Sequence, residues 1–194
     1  MKIFSKIYDW VMTKVKHPKA PVWLGALSFS ESVFFPIPPD VMLAPMALSN
    51  TKKAWHFATI TTIASILGGA FGYLLGAWLY EPVVAPFIES LGYQAKFNNV
   101  IGWFEDYGVW VVFLAGFSPI PYKVFTVGAG LLQMAFLPFM LASAIGRGMR
   151  FFLVAGLMVW GGEKMEAKLR QYVEVLGWAV VIAAIAIYLF IKYG

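Results

Sequence analysis

The sequence predicts an all-α integral membrane protein. It is an inverted repeat of two proline-broken re-entrant hairpins, each followed by a transmembrane helix, with an N-terminal amphipathic helix and a C-terminal transmembrane helix. Three observations predict this. Of 194 residues, 60% are hydrophobic and only 13% charged, about half the ~25% that a water-facing surface demands. Two of the long apolar runs are broken by prolines at corresponding places. The charges between the runs change sign along the chain, which orients the runs in a bilayer.

One membrane domain is expected over 1–194, divided into an interfacial helix 1–19, a first repeat 20–80, a second repeat 107–162 and a C-terminal helix 177–193. In the first segment Ile3, Phe4, Ile7, Tyr8, Trp10, Val11 and Val15 recur at helical spacing with lysines between them. That is the pattern of a helix lying on a membrane surface. Lysines and Asp9 interrupt any apolar core there, so a cleavable signal peptide is not expected.

Residues 54–80, 135–161 and 177–191 read as ordinary spans, the last short for the ~20 residues a bilayer requires. Residues 22–50 are apolar but broken at Pro36, Pro38 and Pro39, and residues 107–133 at Pro119 and Pro121. Proline removes a backbone donor and restrains the residue before it, so a helix should stop there. Lys2, Lys6, Lys14, Lys16 and Lys19 precede the first broken run, and Lys52 and Lys53 follow it. A crossing would put one basic group outside, against the positive-inside rule; a hairpin keeps both in the cytoplasm. The stretch 81–106, with Glu81, Glu89, Glu105 and Asp106 against Lys96, is then external, and the second hairpin dips in from that side. The expected location is the inner (plasma) membrane, multi-pass, with a cytoplasmic N-terminus.

The two broken runs align. Phe35-Pro36-Ile37-Pro38-Pro39-Asp40-Val41 matches Ser118-Pro119-Ile120-Pro121-Tyr122-Lys123-Val124, and Ala64-Ser65-Ile66-Leu67-Gly68 matches Ala142-Ser143-Ala144-Ile145-Gly146. Inverted repeats with interrupted helices at matching positions point to a transport site near the bilayer midplane.

Few charges lie within apolar sequence: Glu31, Asp40, Lys123, Arg147 and Arg150. Each costs between ~2.5 and more than 10 kcal/mol at membrane depth unless paired or wet, which makes each a functional candidate. Asp40 follows Pro39 and either caps the returning half-helix or acts in transport; the two roles can coexist. Glu31 either carries protons together with Asp40 across the hairpin tip or forms a structural pair with an arginine. Lys123 stands where the repeat puts Asp40. A cation there opposes the helix dipole, so it reads as an anion site, most naturally for phosphate, or as a snorkelling side chain. Arg147 and Arg150 share a helix face. They hold a phosphate, or they neutralise Glu31 and Asp40. Gly68, Gly72 and Gly76 form a small-residue stripe for close helix approach, against the chain's own hairpins or a second copy.

There is no cysteine, and His17 and His56 are the sole histidines, so no metal site and no cofactor are expected. No His cluster and no Ser–His–Asp arrangement is visible, so an enzyme is not expected. The charge of +5 follows topology rather than a nucleic-acid footprint. The expected partners are membrane lipids, with homo-oligomerisation allowed by the glycine stripe.

These residues resemble the DedA family. The likeness rests on Glu31 with Pro36-Ile37-Pro38-Pro39-Asp40, the glycine-rich span Gly68 to Gly76, and Phe117-Ser118-Pro119-Ile120-Pro121-Tyr122-Lys123 with Gly128-Ala129-Gly130. It is nearest the small YqaA-type branch and covers roughly residues 20–162. The family shares the VTT, or SNARE-associated, domain with lipid scramblases of the endoplasmic reticulum. The resemblance implies two opposed re-entrant hairpins and lipid movement across the bilayer: undecaprenyl phosphate recycling, phospholipid flipping, or proton-dependent membrane homeostasis. Its acidic pair falls on Glu31 and Asp40. Of its two arginines around the second break, the later is matched as a cation by Lys123. The earlier one has no clear counterpart, since Gly116, Phe117 and Ser118 stand there; Arg147 or Arg150 is expected to substitute for it in space. The expected function is a transporter or flippase/scramblase for an anionic lipid, a polyprenyl phosphate or phospholipid, with proton coupling. A proton-coupled carrier of a small solute or cation is the alternative.

Overall fold

The computed structural model describes residues 17–90, 92, 94–118, 121–162 and 164. The amphipathic helix expected over 1–19 falls outside it except for residues 17–19, which form a turn, and the span expected at 177–191 lies wholly outside it. The described residues are helical, without strands.

Helix α1 is Ala20–Glu31, with Pro21 in its first turn, where a missing N–H costs nothing. It closes where the Ser30 carbonyl accepts from the N–H groups of Val33, Phe34 and Phe35. The Pro36–Pro39 segment then holds the chain out of helix, and α2 (Asp40–Ser49) starts directly behind Pro39, whose φ of −65° is already helical. A single 3₁₀ turn, Thr51–Lys53, with the Asn50 side chain accepting from the Lys53 N–H, leads into α3 (Ala54–Leu79). His17, Pro21, Ser49, Asn50 and Lys53 line one cleft, so the chain after α2 has returned to the end where α1 began.

The α-helix of α3 ends at Leu79, close to the predicted 80, but the helical chain does not stop there. It passes through a π-helical turn, Tyr80–Val84, around Pro82 and continues as α4 (Ala85–Ser90), giving 40 unbroken helical residues from Thr51 to Ser90. The π turn absorbs the donor that Pro82 lacks. The arm preceding the second break also starts earlier than the apolar run implied. Helix α5 is Gln94–Phe117 and passes through Glu105 and Asp106. Its stretch Phe97–Phe117 is long and apolar enough to cross a membrane, as are Thr51–Ser90 and Phe136–Gly162. Two acids in the sequence hid this helix; they are tolerated because both point outward, while Phe104 and Val112 turn inward. Pro121 then precedes α6 (Tyr122–Leu131), and α7 is Phe136–Gly162. Pro119 lies outside the described residues.

The contacts define an inverted arrangement. Along α3, Gly68 meets the Phe29 backbone, Gly72 meets Ser32 and Thr126, and Gly76 meets Val127. Hence α1 and then α6 lie end to end on α3, running in its direction. Along α7, Gly146 meets the Phe113 carbonyl, Gly116 faces the Arg147 N–H, and Arg150 reaches both the Phe117 carbonyl and Asp40. Hence α5 and then α2 lie end to end on α7. The two spans are antiparallel: Tyr73 packs on Phe139, Ser65 bonds Arg147, and Trp55 packs on Phe152 and Trp160. Gly68 and Gly146, equivalent in the repeat, make the same close approach in each unit, where a Cβ would overlap a carbonyl of the neighbouring arm. The glycine stripe of α3 is therefore covered by the chain's own half-helices.

Two apolar clusters result. One joins Leu24, Val41, Leu43, Met46, Phe57, Phe151 and Met158; the other joins Phe104, Val112, Tyr122, Phe139 and Ala142. Outward positions such as Leu67, Phe71, Leu74, Trp78, Leu141, Ile145 and Trp160 are exposed and apolar, as a lipid-facing surface requires. On α7, Arg147 and Arg150 lie between the stretch that enters one cluster and the stretch that enters the other.

Candidate functional site

At that junction four half-helix ends meet. The chain end of α1 presents carbonyls, and the start of α6 lies against it. The end of α5 presents the Phe117 carbonyl, and Arg150 bridges it to Asp40 at the start of α2. In each line the negative end of one helix faces the positive end of the next, so the dipoles are aligned. The proline breaks place these ends in mid-bundle, and every candidate charge of the sequence falls beside one of them.

Glu31 closes α1 and is 7% exposed, while Arg147 is 2% exposed. An Arg147 terminal nitrogen donates to Glu31 Oε2 at 2.5 Å, and its Nε donates to Ser65 Oγ at 2.6 Å. Ser65 Oγ shares a hydrogen with Ser32 Oγ at 2.8 Å. The guanidinium lies 4.7 Å from the Tyr122 ring centroid and 4.6 Å from that of Phe151, so rings flank it. Tyr122 in turn donates to Ser143 Oγ. Of the readings open for Glu31 and Arg147, the geometry realises the structural ion pair.

Asp40 does not act as a backbone cap. Its Oδ2 accepts from Arg150 through both Nε, at 3.2 Å, and a terminal nitrogen, and its Oδ1 is buried with no hydrogen-bond donor among the described residues. Arg150 also donates to the Phe117 carbonyl at 3.2 Å. It thereby occupies the region of Gly116, Phe117 and Ser118, where the expected second cation of the break was missing from the sequence.

Lys123 has a partner that sequence reasoning missed. Its Nζ donates to the Phe34 carbonyl at 3.1 Å, and Thr126 Oγ1 donates to the Ser32 carbonyl at 2.9 Å. The carbonyls that end the first arm thus favour the cation that the α6 N-terminus disfavours. The end-to-end stacking of α1 and α6 explains this, and it could have been read from the inverted repeat, which brings opposite helix ends together. Ser65 and Tyr122 were also missed as site residues. Their signal was present in the repeated Ala-Ser pair, 64–65 and 142–143, and in a tyrosine beside a break.

The arrangement therefore collects three cations and two carboxylates beside the proline breaks. Among the described residues no group of three or more His, Cys, Asp and Glu side chains is placed to hold a metal ion.

Residues 37–160 match the model of the VTT domain. An uncharacterized protein of Haemophilus influenzae is 50% identical over 192 residues, which is 99% of this chain and 100% of that one. Undecaprenyl phosphate transporter A of Staphylococcus aureus is 28% identical over 177 residues, 84% of this chain and 85% of that protein. Its namesake in Bacillus subtilis is 27% identical over 114 residues, 56% of this chain and 57% of that protein. No solved structure matches.

Proposed function

This multi-pass membrane chain belongs to the VTT-domain (DedA) family, and on that premise we propose that it moves an anionic, phosphate-bearing lipid between the leaflets of the inner membrane, with Asp40 coupling the movement to protons. The observation that carries this reading is the meeting of half-helix ends and cations at the hairpin tips, between two apolar clusters. Positive charge held there at a cost of several kcal/mol is best repaid by an anion. Helix N-termini and cations together favour phosphate. The two relatives named as undecaprenyl phosphate transporters support a polyprenyl phosphate, a monoester, as that lipid; a phospholipid would present an anionic phosphodiester instead.

Of the three cations at the site, Lys123 is the one with no carboxylate partner among the described residues. Lys123→Gln should fold and insert like the parent, with stability changed by less than about 1 kcal/mol, and should bind and transport polyprenyl phosphate poorly. If it binds and moves that lipid as well as the parent, phosphate recognition at this site is wrong.

The membrane placement is part of the reading. Both arms of the first unit enter from the cytoplasm, and the N-terminus is cytoplasmic. The parent chain has no cysteine, so Lys19→Cys and Lys52→Cys can each be probed alone with an impermeant thiol reagent. Both should react only from the cytoplasmic side; one reacting from outside rules out the re-entrant hairpin.

A second reading has its own observation. Arg147 and Arg150 each already have a carboxylate, so the two pairs are neutral. A proton-coupled carrier of a small solute or cation would need no further anion.

A further inference from the structure

The two acid–arginine pairs are alike in sequence and unlike in structure. The Arg147 side chain is 3% exposed and is held by Glu31, Ser65 and two flanking rings. The Arg150 side chain is 16% exposed and has no ring stacked on its guanidinium among the described residues. Its partner Asp40 uses a single oxygen, and Oδ1 is buried without a donor. A buried carboxylate oxygen left without a donor carries a desolvation cost that a fully bonded pair avoids. Arg150 is therefore the more accessible of the two arginines, while Asp40, 6% exposed against 10% for Glu31, is the more buried carboxylate and keeps one oxygen without a donor.

Arg150 also holds two parts of the fold together. One end of its fork reaches Asp40 at the start of α2, in the first unit, and the other reaches the Phe117 carbonyl at the end of α5, in the second. A planar guanidinium can exchange a carboxylate for a phosphate without changing its fork geometry. Resting on the phosphate-lipid reading above, we propose that Arg150, and not Arg147, is the arginine that takes the phosphate, and that Asp40 is its built-in competitor. Phosphate displaces Asp40 from Arg150, which unties α2 from the end of α5. Arg147 stays with Glu31 throughout as a positioning pair. Departure of the lipid lets Asp40 return. The partner chemistry is a phosphate monoester, carried by a lipid or free.

Competition predicts that weakening the competitor tightens the ligand. Asp40→Asn should bind a short-chain polyprenyl phosphate about tenfold tighter than the parent in detergent, within the usual range of coupling between two sites, while transporting it more slowly. The double variant Glu31→Leu/Arg147→Met, which removes the buried pair together, should bind within about twofold of the parent. Asp40→Asn/Arg150→Gln should lose binding. Inorganic phosphate, tested as a competitor, separates the two sources: displacement of the prenyl phosphate shows that the headgroup alone is recognised, and no displacement shows that the site takes it only on a lipid. If the parent binds prenyl phosphate but Asp40→Asn binds no tighter, or the Glu31→Leu/Arg147→Met variant loses binding, the assignment to Arg150 is wrong and the phosphate-lipid reading stands. If neither the parent nor Asp40→Asn binds it, both are wrong.

Discussion

Glu31→Gln should destabilise this protein by about 3–5 kcal/mol, because it leaves a buried guanidinium without its counter-charge. The Arg147 side chain is 3% exposed and cannot reach solvent by a small movement. Ser65 and the rings of Tyr122 and Phe151 contribute dipoles and a quadrupole, which do not replace a full negative charge. Arg147→Gln should cost a comparable amount, for Glu31 is then the stranded ion. Replacing both with apolar residues of similar size, Glu31→Leu with Arg147→Met, should recover most of the loss, since the desolvation cost of both charges disappears with them. Thermal unfolding in detergent checks all three. A Glu31→Gln protein that melts with the parent would show that the pair is not a structural ion pair.

Gly76→Ala should be the next most damaging change. A methyl group on Gly76 would overlap the Val127 carbonyl, with the Leu131 nitrogen 3.0 Å away. These are backbone atoms of α6 and cannot rotate aside, so α3 and α6 must separate. Overpacking of this kind costs about 1–3 kcal/mol, and more where neither helix can yield. Gly128→Ala is the control: a Cβ there meets nothing within 4 Å. It should leave stability unchanged or raise it by up to about 1 kcal/mol through helix propensity. The comparison also tests what the stripe is for. If it served a homodimer, Gly76→Ala would change the oligomeric state in size-exclusion chromatography and leave the unfolding of the monomer alone.

Much of the site was legible because charges are rare in this chain. Glu31, Asp40, Lys123, Arg147 and Arg150 stand out against apolar neighbours, and the prolines mark where helices end. What the sequence withheld was the pairing. Glu31 meets Arg147 across 116 positions and Asp40 meets Arg150 across 110. The choice between the two combinations depends on which half-helix lies end to end with which, a three-dimensional fact. The Phe34 carbonyl beside Lys123 was hidden for the same reason: the surroundings of Lys123 were reasoned from α6 alone, while that carbonyl comes from the other unit. The early start of α5 was hidden by Glu105 and Asp106, which read as a polar loop and prove to be one face of a helix. Tertiary packing, rather than local propensity, decided each of these.

The central claim is that phosphate-bearing lipid passes the hairpin tips. It is tested most directly in liposomes holding the purified protein, a head-labelled polyprenyl phosphate in the outer leaflet, and an impermeant quencher added with and without a pH gradient. The account predicts that the parent protects the label by moving it to the inner leaflet, that the gradient changes the rate, and that Lys123→Gln and Arg150→Gln leave it accessible. Liposomes that show proton-dependent uptake of a small solute or cation while every labelled lipid, including head-labelled phospholipids, stays in its leaflet would contradict it.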